Sequence, residues 1–347
     1  MKILLLNDEF YTTGASIAML RLAEHLQQEH EVMVMPRIDG DGVIKTKLMA
    51  LGIPIVTTVS EVDLVIANTV TAGGFVGRYG ANWPIIWWLH ETDVGRRLLL
   101  EAPVLASGFQ QAAAVVFQTT YQKTVFGSFL FDSPAEVHVL PFWNNAVYTQ
   151  PIEAAPKDKL RVVVVGTVEP RKRVQDTINA VELLGEDLQR DIECLFIGKY
   201  IHLPDSEAAI VNANPERYRF LGEQPNETVL NYLASADCLV LGSASESQPL
   251  SIWEAFELEV PVCISDLDTY RHIGFKHGVH ALLHPVGDIQ MLAENLRIAL
   301  TNPAIRASIT KGAKSLLLRT LASDWRGGFD RIIQDAVTRR EIKQLGY

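Results

Sequence analysis

Cysteine is scarce in this chain: Cys194, Cys238 and Cys263 are the only three in 347 residues. They are widely spaced in apolar runs, which excludes a disulfide framework and paired-cysteine metal spacing. Buried, reduced thiols of a cytoplasmic protein are therefore expected. Long apolar runs are missing as well, and no stretch approaches the length of a membrane span. Met1-Lys-Ile-Leu-Leu-Leu6 turns polar at Asn7-Asp8-Glu9, too soon for a signal-peptide core. Basic charge is also in deficit. Against 41 acidic residues stand 31 Lys and Arg, a formal net charge of −10, the opposite of the basic surface that a general nucleic-acid binder needs. A Gly-x-Gly-x-x-Gly turn is absent after the first apolar run, where Gly14-Ala15-Ser16 stands instead. A dinucleotide site is thus poorly supported, and an NAD-dependent oxidoreductase is the remotest reading kept open.

What the chain does have is a globular composition, 48% hydrophobic and 21% charged, and enough length for two domains. Short apolar runs of parallel-strand type recur: Ile3–Leu6, Val32–Met35, Ile55-Val56, Val62–Ala67, Pro84–Leu89, Ala114–Gln118 and Val137–Leu140. Gly14 opens the turn into a helix over 16–28, where a backbone can approach a ligand and a helix N-terminus favours anions. A helix is expected over 106–113. Asp39-Gly-Asp41 imitates a metal-holding Asp-x-Asp pair, but aspartate and glycine are ordinary turn formers, and no metal site is assigned. His90 ends the run Pro84–Leu89 abruptly, at the carboxyl edge where α/β sheets bind ligands. Trp87 and Trp88 are expected in the core, one on each face of the sheet. Tyr148–Lys159, rich in proline, alanine and charge, reads as a linker. Leu160–Gly166 then begins the strand, loop and helix plan again.

The loop after that restart, Thr167-Val-Glu-Pro-Arg-Lys-Arg173, puts three cations ahead of a helix whose dipole favours negative charge. The reading is that a ligand supplies the anion: a pyrophosphate, with Lys172 as a point charge and Arg171 as a fork. Further on, the run Cys238–Gly242 hands Glu246-Ser-Gln-Pro-Leu-Ser-Ile-Trp-Glu254 to a helix ending at Glu259. A capping box would account for Ser251 and Glu254. It does not account for Glu246, five residues before Ser251.

Glu246 and Glu254 with seven residues between them resemble the Glu-x7-Glu signature of family-4-type (GT4-like) retaining glycosyltransferases. The likeness continues in order through Phe220-Leu-Gly222, Tyr232–Asp237, Val260–Ser265 and Gly278–Asp288. It implies an α/β protein of the GT-B fold, with two Rossmann-like domains facing each other across a cleft. An acceptor-side domain is expected over 1–150, a donor domain over 151–325, and a terminal helix over 326–347 that returns to the first. By the same resemblance, Glu246 holds sugar hydroxyls and Glu254 accepts from the ribose hydroxyls. Lys172, an arginine neighbour and the N–H groups near Leu250 and Ser251 stabilise the leaving diphosphate. Gly14 lies in the loop facing donor phosphate and acceptor, His90 meets the donor sugar, and Glu223 with Gln224 borders the nucleobase. Relatives carry an arginine where Thr167 stands, and Pro141-Phe-Trp-Asn144 departs from their Pro-Asn-Gly pattern.

The activity implied is retaining, metal-independent transfer from a nucleotide-sugar, a UDP- or GDP-sugar foremost, to a saccharide, lipid-linked or small-molecule acceptor. No other cofactor and no nucleic-acid partner is expected. Some relatives dock on lipid through the first domain. Here Arg96, Arg97 and Lys123 are few and interrupted, so a solvated face is expected, with peripheral contact at the inner membrane face left open along with the oligomeric state. A catalytically silent nucleotide-sugar-binding subunit is the rival reading.

Overall fold

The structure is a computed structural model, and it describes residues 1–59, 61–142, 152–321 and 324–344. Two compact units divide the chain, one formed by 1–145 with 323–347 and the other by 146–322.

In the first unit six short apolar runs become parallel strands: β1 (Lys2–Asn7), β2 (Glu31–Pro36), β3 (Leu64–Asn68), β4 (Ile85–Trp88), β5 (Ala114–Phe117) and β6 (Glu136–Val139). Their order is β2-β1-β3-β4-β5-β6. β3, β4 and β5 are buried at every position, as expected of a parallel sheet covered on both faces. The strand expected at Ile55-Val56 is reduced to a single bridge from Ile55 to Val34. Pro54 has no N–H to donate and the apolar run stops at Thr57, so the ladder closes after one residue. The helix expected over 106–113 is instead two short ones, Pro103–Ala106 and Gly108–Gln111. Gly108 lies so close to Trp87 that a Cβ there would come within 2.7 Å of the indole.

Trp87 and Trp88 are both fully buried and serve opposite faces. Trp87 meets Phe109, with ring centroids 4.7 Å apart, while Trp88 meets Phe329 at 4.6 Å. Phe329 belongs to the terminal helix Trp325–Gln344, which packs on the first unit. Trp325, Phe329, Ile332 and Ile333 form its buried face. Phe142, where the glycosyltransferase pattern has asparagine, is a core residue between Trp88 and Trp325. Asn144 lies outside the described residues.

The second unit repeats the plan with β7 (Leu160–Val165), β8 (Ile192–Ile197), β9 (Tyr218–Gly222), β10 (Cys238–Leu241), β11 (Val262–Ser265) and β12 (Leu282–His284). All pairs are parallel, in the order β12-β11-β10-β7-β8-β9. Residues 148–151 of the expected linker lie outside the described residues. The later part is tied down: Ala155 and Pro156 carbonyls accept from the Arg161 guanidinium, and Lys157 pairs with Asp237 at 2.5 Å. Arg161, itself buried, also pairs with Glu193. Though distant in sequence, Cys238 and Cys263 meet on adjacent strands with Sγ atoms 3.5 Å apart, both as free thiols.

Candidate functional site

β7 and β10 are neighbours, and between them the strand order reverses. Chains leaving the two strands go to opposite faces, which opens a crevice at the carboxyl edge of the sheet. The Lys172 loop comes after β7 and the Glu246 loop after β10. They are stitched together: the Ala244 N–H donates to the Arg171 carbonyl at 2.8 Å, and the Arg171 guanidinium donates to the Ser245 carbonyl at 2.8 Å. Lys172 Nζ donates to Glu246 Oε1 at 2.5 Å, and Arg171 Nη1 lies 3.5 Å from Glu246 Oε2. Two cations thus converge on one carboxylate whose side chain is only 7% exposed. Burial pushes the Glu246 carboxyl up, but the charges of Lys172 and Arg171 more than offset it and hold the group below its ordinary value.

The expectation that a ligand must neutralise this loop needs correction, because the protein supplies an anion for each cation. Arg171 also pairs with Glu169 at 2.7 Å, and Arg173 with Asp176 at 2.6 Å. Arg173 occupies the left-handed region, φ 48°, and its guanidinium turns toward Gly287, where a Cβ would meet it at 2.9 Å. Arg171, not Arg173, therefore accompanies Lys172 at Glu246. Lys172 keeps donors to spare, since an ammonium has three.

The helix expected to end at Glu259 runs from Leu250 to Glu257, and Glu259 takes the left-handed conformation just beyond it. Its N-cap is Pro249, with no side-chain cap. Ser251 lies inside the first turn, so the capping box does not form. The first-turn N–H groups, those of Leu250 and Ser251 among them, have no acceptor within the helix. Ser251 and Glu254 are both buried, three residues apart on one face. Burial, with the negative charge of Glu257 adding to it, pushes the Glu254 carboxyl up to about 7. Glu223 comes just after the edge strand β9 and is exposed, two strands from β7.

Gly14 and His90 belong to the first unit. Gly14 begins the helix Gly14–Leu26, which is capped by Thr13 Oγ1 accepting from Ser16 N. A Cβ at Gly14 would meet nothing within 4 Å, so the turn itself does not require glycine. His90 and Glu91 come after β4. His90 is buried, and burial pushes it down to about 3, so the ring is neutral. Its Nδ1 contacts the Gln118 amide nitrogen, and its Nε2 is buried without a partner among the described residues. Glu91 accepts from the backbone N–H groups of Val70 and His90, at 3.1 and 3.2 Å, and burial pushes it up to about 7. Thr69 holds a left-handed φ of 71°, a strained state for a β-branched residue. Its carbonyl is fixed by the Trp87 indole at 2.7 Å.

Sequence reasoning missed Gln118 and Gln122, Thr69, the Asp8 pairing with Arg37, and Tyr270. The Tyr270 hydroxyl is buried without a partner among the described residues, within reach of the charges on Glu246 and Arg171. A polar residue at the end of each apolar run was the one signal available. Asp39 and Asp41 are exposed, and Lys45 pairs with Asp41 at 3.0 Å.

Residues 149–316 match the family described as glycosyl transferases group 1. TuaC of Bacillus subtilis (strain 168), a putative teichuronic acid biosynthesis glycosyltransferase, is 31% identical over 139 residues. That alignment covers 40% of this chain and 32% of the relative, so the chain spans about a third of the length of that protein. Among solved structures, HepE of Anabaena in complex with UDP superposes with a TM-score of 0.76 at 17% identity, covering 96% of this chain and 100% of HepE. The α,α-trehalose 6-phosphate synthase of Burkholderia multivorans gives 0.73 at 13% identity, covering 99% and 98%. Two parallel Rossmann-like sheets of this order, with the terminal helix packed on the first, are the GT-B fold. The matched residues 149–316 lie within the second unit.

Proposed function

We propose that the protein is a retaining glycosyltransferase that moves a sugar from a nucleotide-diphosphate sugar, a UDP-sugar first among candidates, to a saccharide, lipid-linked or small-molecule acceptor, without a metal ion. The observation that carries the reading is the direct bonding of the Lys172 loop to the Glu246 loop at the switch point of the second sheet. The TuaC likeness supports glycosyl transfer, and the UDP in the HepE structure supports the class of donor.

As the bond from sugar to diphosphate breaks, negative charge grows on the leaving oxygens. Lys172, Arg171 and the N–H groups of Leu250 and Ser251 stabilise that charge. Lys172 does so through donors not engaged by Glu246, and these cations take the place of a metal. Glu246, held ionised by two cations, is a weak nucleophile. It accepts from sugar hydroxyls instead, while the acceptor attacks from the leaving-group face and the departing phosphate takes its proton. Glu254 is buried with a raised pKa, which marks a carboxyl short of hydrogen-bond donors. The two ribose hydroxyls supply them. Glu223 borders the base through its backbone.

A thermal-shift panel of UDP, GDP, ADP and their sugars, without added metal, tests the donor, and NMR of the product anomer tests retention. No stabilisation by any member would sink the proposal. The rival reading, a silent binding subunit, is favoured by the internal pairing of all three loop cations. Stabilisation without any transfer or donor hydrolysis would select it.

A further inference from the structure

Tyr270 stands in the short helix Asp268–Ile273, which follows β11 in the second unit. That helix is fastened to the Glu246 loop, because Thr269 Oγ1 donates to the Ser247 carbonyl at 3.0 Å. The sequence neighbours of Tyr270 and Glu246 are thus in direct contact. The Tyr270 ring packs on Phe275, with centroids 5.2 Å apart, and Phe275 in turn meets Trp253 and Phe256 of the helix Leu250–Glu257. Its carbonyl accepts from the N–H groups of Gly274 and Phe275. Ring and backbone are therefore held, and the residue is 1% exposed. The hydroxyl is the exception. It is buried without a partner among the described residues, although buried tyrosine hydroxyls ordinarily have one. Burial pushes it well above its ordinary value, with the negative charge of Glu246 adding to the effect, so the group stays a neutral O–H donor.

The charges around Glu246 show when that donor is wanted. Glu246 is buried, and Lys172 and Arg171 are the cations that hold it ionised. A carboxylate only accepts, and it has room for more than two hydrogen bonds. The proposed function brings a diphosphate to the same two cations. Its negative charge competes with Glu246 for them, and a buried carboxylate with less compensation takes up a proton. We infer that Tyr270 is a positioning residue whose hydroxyl donates to Glu246 when a bound diphosphate shares the charges of Lys172 and Arg171. The added hydrogen bond favours the charged form and keeps Glu246 an acceptor for sugar hydroxyls. A third cation in this place would bind the diphosphate product more tightly and slow its release, whereas a phenol adds no charge. The role rests on the diphosphate reading; the idle hydroxyl does not.

The test is calorimetry of UDP and UMP on the full chain and on Tyr270→Phe, near pH 7, in buffers of different ionisation enthalpy. Phenylalanine keeps the ring packing and removes only the hydroxyl. The variant is expected to keep the wild-type Tm and UMP affinity. It should bind UDP about tenfold more weakly, the loss expected for one hydrogen bond to a charged group, and take up more protons on binding UDP than the wild type does. Ribose donation to Glu254 is the same in both proteins, so the difference reports Glu246, whose charged neighbours are Lys172 and Arg171. UDP affinity and proton exchange equal to the wild type overturn the inference. So does an equal loss for UMP and UDP with a lowered Tm, or a variant that does not fold, because either would show that the hydroxyl has a structural partner. A wild type that binds UDP, GDP and ADP no more tightly than their monophosphates would instead remove the diphosphate reading, and this role with it.

Discussion

The carboxyl edges of the two parallel sheets carry opposite chemistry. At the second, Lys172 and Arg171 converge on the buried Glu246 carboxylate, beside the uncapped first turn of Leu250–Glu257. At the first, the neutral His90 imidazole lies against the Gln118 amide, and the Glu91 carboxyl beside it caps backbone N–H groups with its pKa pushed up to about 7. An ionic edge suits a diphosphate. An edge that presents neutral polar groups suits hydroxyl groups. The loops that leave the strands give one plan two charge states, so the fold places the mouths and the loop residues decide their ligands.

Removing the principal cation should break this contrast most severely. Lys172→Ala is expected to lower kcat by about 10² to 10³, the range for loss of one group that stabilises developing charge, in transfer assays with the preferred nucleotide-sugar. The variant also leaves Glu246 with Arg171 as its nearest cation, so a Tm measured alongside separates lost folding from lost catalysis. Next, Glu254→Gln should weaken nucleoside diphosphate binding by about tenfold, through one or two lost or weakened hydrogen bonds, with the fold intact by circular dichroism. Unchanged calorimetric affinity would remove the ribose role.

Glu254 also ties this edge to pH. Its folded-state pKa of about 7 lies above the ordinary glutamate value. The folded protein therefore holds a proton that the unfolded chain has released, and this group's contribution to stability is lost as pH rises from about 4.5 to about 7. Glu254→Gln should flatten the dependence of Tm on pH in that window, and the comparison with wild type isolates Glu254 from Glu91, which titrates in the same range. Donation by ribose hydroxyls should lower the Glu254 pKa and release a proton on binding near pH 7, seen in calorimetry across buffers of different ionisation enthalpy. The smallest effect belongs to Glu223→Ala, expected to change turnover by less than about twofold because an exposed side chain beside a backbone contact carries little energy.

The strands were legible because buried parallel strands are short continuous apolar runs, and the restart at Leu160 marked the second unit. Ile55-Val56 misled because its apolar pair looks like a strand, while Pro54 removes the N–H a ladder needs. At the site, Lys172, Glu246 and Glu254 could be read from charge placed at strand mouths. The pairing of Lys172 and Arg171 with Glu246 could not, because it joins two loops more than seventy residues apart that no spacing relates. The capping box failed for a related reason: Pro249 takes the cap position, drawing Ser251 into the helix. Gln118 at the end of β5 and Gln122 in the helix Thr120–Val125 carry no charge to call attention to them.

The grip on the second phosphate is the claim that calorimetry reaches most directly, by comparing UDP with UMP on the wild type and on Lys172→Met. The account predicts that UDP binds the wild type more tightly than UMP and that the difference largely disappears in the methionine variant. Equal binding of the two nucleotides, or a difference that survives the loss of Lys172, would contradict it.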